Sequence, residues 1–136
     1  MKFIHTGDSH IGEVYKDEGR NRDIKDAFLQ IVDSAINNKV DFIIHSGDVF
    51  DTGNPSLQDM LFLTDQLHRL KENNIKFFTV PGSHDIGMGE ELSIIEFFDR
   101  NKLLINLNSP RYIKREGDEV ILSGELYSNA FITGVR

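Results

Sequence analysis

"VDFIIHSGDVFDTGNPS", residues 40–56, is the stretch on which the fold turns. Val40–Ser46 reads as a short buried strand, cut off by Gly47 and Asp48. Pro55 and Ser56 then suit a helix start, and Asp59 stands three residues after Ser56 at capping-box spacing. A strand, a polar loop and a helix start in close succession make half of a βαβ unit.

The same order extends to both sides. "KFIHT", Lys2–Thr6, reads as a first strand that ends in "GDSH". From there to the second strand, apolar residues recur at Ile24, Ala27, Phe28, Ile31, Val32, Ala35 and Ile36, one face of a helix that "NNK" ends. The second helix is expected to run to about Asn73, and "IKFFTV", Ile75–Val80, is a third strand. A Pro-Gly turn follows it and delivers Ser83, His84 and Asp85. A shorter helix over roughly Glu90–Asn101 leads to "LLINL"; then "YIKREGDEVILSG" reads as a hairpin turning at Gly117 and Asp118, with a last strand in "AFITGV". This alternation predicts an α/β fold of βαβ units, with a mixed, largely parallel sheet and helices on the outside.

In such sheets, ligands sit beyond the carboxyl ends of the strands. "GDSH", "GDVFD" and "GSHD" each follow one of the three strands, so Asp8, His10, Asp48, His84 and Asp85 are expected to converge on one edge. Carboxylate with imidazole is a donor set for Mn, Fe or Zn rather than for Ca or Mg. Asp48 has two oxygens with which to bridge a metal pair, and a histidine beside the metals is placed to give a proton to a leaving alkoxide. Each motif alone is commonplace in turns; their recurrence at successive strand ends points to a shared site.

Composition narrows the remaining choices. A chain of 136 residues is one small domain or part of a larger one, and its lack of cysteine excludes disulfides and thiolate chemistry. No apolar run approaches a membrane span, so a soluble, cytoplasmic protein with no membrane partner is expected, nuclear if eukaryotic. The net charge of −7 argues against a surface that coats nucleic acid generally, and the excess acid lies in residues 1–68, which carry 6 basic and 12 acidic groups.

D-x-H, G-D-x-x-D and a Gly-Ser-His-Asp element, each after a strand, resemble the motifs of the calcineurin-like metallophosphoesterases over essentially the whole chain. "HTGDSHIG", "VDFIIHSGDVFDTGNPS" and "IKFFTVPGSHD" are similar in particular to the DNA double-strand-break repair nucleases, the SbcD type and the meiotic-recombination-eleven nucleases. The resemblance implies a two-metal, Mn2+-dependent phosphodiesterase, acting as a 3′-to-5′ exonuclease and single-strand endonuclease. Asp8 and His10 would bind the first metal, Asp48 would bridge both, and His84 would be the catalytic histidine that binds neither. Asp51 and Asp85 would support the site from behind. Ser83 stands where the family has an asparagine whose carbonyl binds the second metal; it is the substitute candidate, acting directly or through a water. The family's three further histidines have no counterpart, because no histidine follows His84. The expectation is therefore that residues 1–136 are the N-terminal part of such a domain, the first half of the full fold, and inactive alone. The resemblance also implies DNA and an SMC-like ATPase of the SbcC type as partners, and a homodimer through helices near 56–72 and 90–101. Rival readings are a non-catalytic dimerisation or scaffold module and a phosphodiesterase for small molecules.

Other residues have plainer readings. His5 and His45 flank the strands and are expected to be structural, and His68 to lie at the surface. Lys16, Arg20, Arg22 and Lys25 follow the first motif among acidic residues and read as a solvated loop. In "LQDMLFLTDQLHRL", Met60, Leu63, Leu67 and Leu70 can face a sheet, which leaves Leu57, Leu61 and Phe62 pointing elsewhere. "LSIIEFF", residues 92–98, repeats that excess of apolar surface.

Overall fold

The computed structural model describes residues 1–13, 18–86, 92–107, 111–117, 119–123 and 131–132. Strands β1 (Phe3–Thr6), β2 (Phe42–His45), β3 (Lys76–Thr79) and β4 (Ile105–Asn106) form one wholly parallel sheet in that order. Helices α1 (Glu18–Asn37), α2 (Leu57–Glu72) and α3 (Ile94–Arg100) make the successive crossovers. The antiparallel strands β5 (Arg111–Glu116), β6 (Glu119–Ser123) and β7 (Phe131–Ile132) form a second sheet of their own, ordered β6-β5-β7. Gly117 sits at the β5–β6 turn with φ 61°, while Asp118 lies outside the described residues.

Register sorts the side chains of the parallel sheet. Ile4, Ile43 and Phe77 are paired neighbours and pack with Phe28 and Val32 of α1, Leu63, Leu67 and Leu70 of α2, and Ile95 and Phe98 of α3. Phe42 and Phe78, one residue out of phase, cluster instead with Leu107, Ile44, Val80 and Ile105. Among the described residues no helix residue joins that second cluster, so the helices cover one face of the sheet.

All three helices end in the same way. Lys39, Asn74 and Lys102 adopt φ values of 49°, 58° and 58°. The next amide bonds five residues back, Val40 to Ala35, Ile75 to Leu70 and Leu103 to Phe98, with O···N distances of 2.9–3.1 Å. These are Schellman turns built without glycine, and the apolar residue after each one is tucked against the core. The turn reverses the chain into the next strand, so each helix feeds a strand from its amino end.

Several boundaries differ from the sequence reading. Helix α1 begins at Glu18, well before Ile24; there Asn21 accepts the Gly12 amide and Lys25 pairs with Asp59, polar contacts that leave no apolar period. Arg20, Arg22 and Lys25 therefore lie on a helix rather than in a solvated loop, and Lys16 is outside the described residues. Ala27 is exposed although it shares the expected apolar face. Helix α3 starts at Ile94 because the Ser93 hydroxyl accepts the Glu96 amide at 3.3 Å and caps it there; residues 87–91 are outside the described set. Ser56 caps α2 as expected, and the Asp59 carboxylate accepts the Ser56 hydroxyl through one oxygen at 2.5 Å and bonds Lys25 through the other at 2.6 Å. Burial would raise the Asp59 pKa, yet hydrogen bonds from Lys25, Ser56 and Asn21 outweigh it and hold the group below its ordinary value.

Candidate metal centre

The carboxyl ends of β1, β2 and β3 carry the three motif loops, and backbone bonds lace the first two together. Asp8 donates to the Gly47 carbonyl at 3.0 Å, His10 to Asp48 at 3.0 Å and Ile11 to Val49 at 2.9 Å. The Asp51 amide returns to the Ile11 carbonyl at 3.1 Å, closing the ladder. Within it Asp8, His10 and Asp48 take φ values of 51°, 47° and 53°. That left-handed region is more open to Asp and His than to most residues, but each such position is strained and persists only where neighbours fix it.

The third loop is joined by side chains. The carboxylate of Asp85 is fully buried and accepts the amides of Phe50 at 2.9 Å, Val49 at 3.2 Å and Gly82 at 2.9 Å. Burial pushes its pKa up, and those three bonds hold the rise back. In return, Oδ1 of Asp48 accepts the His84 amide at 2.7 Å. The approach is so close that a side chain on Gly82 would collide with the Asp48 carboxylate and backbone nitrogen. Gly82 is thus required by space and not by dihedral angle.

Two overlapping groups of donor atoms result. Ligand atoms of Asp8, His10 and Asp48 lie within 4.8 Å of one another, and so do those of His10, Asp51 and His84. His10 belongs to both; its Nδ1 is 3.2 Å from Asp51 Oδ1, and its ring meets that of His84 edge-on at 4.7 Å. Nδ1 of His84 is 2.8 Å from the Asp51 carbonyl, an acceptor only, so Nδ1 carries a proton and Nε2 is left for another partner. The Asp51 carbonyl, helped by the Asp48, Asp51 and Asp85 charges against partial burial, raises the His84 pKa. No Lys or Arg among the described residues pairs with Asp8, Asp48 or Asp51. A mixed carboxylate and imidazole set with uncompensated negative charge suits a divalent cation.

Of the residues expected at the site, Asp8, His10, Asp48, Asp51 and His84 come together, and Asp85 lies directly beneath them. Ser83 is exposed on the same turn. His5 is exposed on β1 and His68 on α2, so His5 has no core role. His45 is buried, stacked on Phe77 at 5.8 Å, and burial lowers its pKa to about 4. Ser9, not singled out by its sequence, bonds His45 Nε2 at 2.8 Å; only its place between Asp8 and His10 hinted at it. The clefts at the opposite end of the sheet, lined by Lys39, Asp41, Lys71 and Asn74 among others, hold no cluster of three or more potential metal ligands among the described residues.

The family model for calcineurin-like phosphoesterases matches residues 1–134. A relative from Sulfolobus acidocaldarius, named DNA double-strand break repair protein Mre11, is 37% identical over 88% of this chain and 32% of its own length. Its namesake in Saccharolobus solfataricus is 43% identical over 62% of this chain and 23% of its own. The Methanocaldococcus jannaschii protein of that name is 31% identical over 93% of this chain and 35% of its own. The chain thus spans about a third or less of the length of these relatives.

Proposed function

The chain belongs to the calcineurin-like phosphoesterase family, and from that premise we propose that it is the N-terminal part of a DNA double-strand-break repair nuclease. The reaction is Mn2+-dependent phosphodiester hydrolysis, as 3′-to-5′ exonuclease and single-strand endonuclease. One observation carries this reading: the paired donor groups Asp8/His10/Asp48 and His10/Asp51/His84, which share a histidine. Asp8, His10 and Asp48 would hold the metal centre, with Ser83 the candidate for a further ligand. When bound, the ions supply the Lewis-acid charge that polarises a phosphodiester and eases ionisation of a water. Asp51 aligns the His84 ring through its carbonyl, and His84 in its doubly protonated form, favoured by its raised pKa, would give the Nε2 proton to the leaving oxygen and become neutral. Asp85 holds the loops on which Asp48 and His84 stand.

The test is cleavage of end-labelled single-stranded DNA with Mn2+, by this chain and by any longer product of its reading frame. His84→Ala is expected to lower turnover by about 100-fold or more, the usual scale of general acid catalysis. Asp8→Ala should abolish it. Cleavage untouched by either substitution would overturn the site. Silence from every length of the protein would favour the non-catalytic dimerisation module instead.

Leu57 and Leu61 of α2 are 83% and 60% exposed, and Leu92 and Phe97, at and on α3, are 50% and 48% exposed. These side chains support a homodimer through the two helices, and that two-fold arrangement would serve DNA ends and an SMC-like ATPase partner. Sedimentation velocity should report a dimer that Leu57→Glu with Leu61→Glu converts to monomer; a monomeric unsubstituted protein would refute it. No helix among the described residues is long and apolar enough to cross a membrane, and action in the cytoplasm, or in the nucleus of a eukaryote, is part of the same proposal.

A further inference from the structure

We propose that Ser9 and His45 are positioning residues that couple the loop bearing Asp8 and His10 to the loop bearing Asp48, and so set the spacing of the cation ligands. The inference rests on the cation-site reading above. His45 is 1% exposed, and each of its ring nitrogens has one partner at a different motif. Nδ1 faces the amide of Gly47 at 3.3 Å, and Nε2 faces the Ser9 hydroxyl at 2.8 Å. An amide can only donate, so Nδ1 is the acceptor and the proton of the neutral ring is on Nε2, donated to Ser9.

The consequence lies in where those partners stand. Ser9 is the residue between Asp8 and His10, both in the left-handed region, and Gly47 directly precedes Asp48, also left-handed. Ser9 is half-buried, as His10 is, with its hydroxyl on the ring, while Asp8 is exposed. One buried ring therefore grips both ligand loops from beneath, at the residues next to the ligands. The main-chain ladder fixes the loops side by side; among the described residues, only this contact acts on a side chain between the two ligands of the first loop. Groups that orient ligands through a hydrogen bond commonly alter metal affinity by about 10–100-fold when removed.

The test measures Mn2+ affinity of the 136-residue chain by titration calorimetry, beside its thermal stability without metal. Ser9→Ala removes the hydroxyl and leaves the core intact; His45→Phe keeps a ring against Phe77 and removes both bonds. Both are expected to weaken Mn2+ binding by about tenfold or more, and Ser9→Thr, which restores a hydroxyl, should recover most of it. If a variant is too unstable to titrate, Ser9→Ala against Ser9→Thr remains the deciding pair. Affinities within twofold of the unsubstituted chain, with Asp8→Ala abolishing binding in parallel, would overturn the coupling and leave the site standing. A fall in stability with no change in affinity of the folded protein would do the same. Failure of the unsubstituted chain and of any longer product of its reading frame to bind Mn2+ would overturn the cation site and the coupling with it.

Discussion

Asp85→Ala is expected to cost about 3–5 kcal/mol of folding stability, a large share of the 5–15 kcal/mol typical of a domain. The substitution removes the shared acceptor of three amides, those of Val49, Phe50 and Gly82. A buried donor left without a partner costs about 1–3 kcal/mol, and a water entering the new space would recover part of the total. Asp85→Asn keeps one carbonyl oxygen but turns an amino group towards the remaining donors, so roughly half the loss should persist. Denaturant unfolding of both variants measures this. A loss below about 1 kcal/mol for Asp85→Ala would show that the loops hold without it. The site should suffer as well, since two of the amides follow directly on Asp48 and the third, that of Gly82, precedes His84.

Asp48→Asn should have the opposite profile. Its Oδ1 still accepts the His84 amide, so the fold loses little. The charge, however, is gone from the middle of the site. Where the protein cleaves DNA, turnover is expected to fall by about 1000-fold or more, since a metal centre contributes several kcal/mol of transition-state stabilisation. Without metal the variant should be as stable as the original or more so, because Asp8, His10 and Asp48 crowd their ligand atoms within 4.8 Å and two of those groups are carboxylates. Relief of that repulsion at a partly exposed site amounts to about 1 kcal/mol. Cleavage assays and thermal unfolding in chelator separate the two effects. Retained turnover, or a clear loss of metal-free stability, would contradict the assigned role of Asp48.

The sequence by itself determined the order of elements and the content of the three loops. Short apolar runs such as "FIIH" and "KFFT" admit little but strand, the Ser56 and Asp59 spacing announces a helix, and Asp8, His10, Asp48 and His84 stand two to five residues beyond strand ends. These signals are local, and local chemistry survives in a list of letters. The early start of α1 was not legible, because Asn21 and Lys25 are satisfied by Gly12 and Asp59, partners remote in sequence. The helix ends at Lys39, Asn74 and Lys102 were hidden for a related reason. A left-handed cap usually shows itself as glycine, and here tertiary packing of the next apolar residue holds other side chains in that conformation. His45 looked like an ordinary strand residue until the fold set Ser9 against one nitrogen and Gly47 against the other. Only the tertiary structure decided that Asp51 links two histidines, that Asp85 is a buried acceptor shared by three amides, and that Gly82 must have no side chain. In each case the deciding term is a hydrogen bond or a contact between loops some thirty or more residues apart, made when parallel strands align their carboxyl ends.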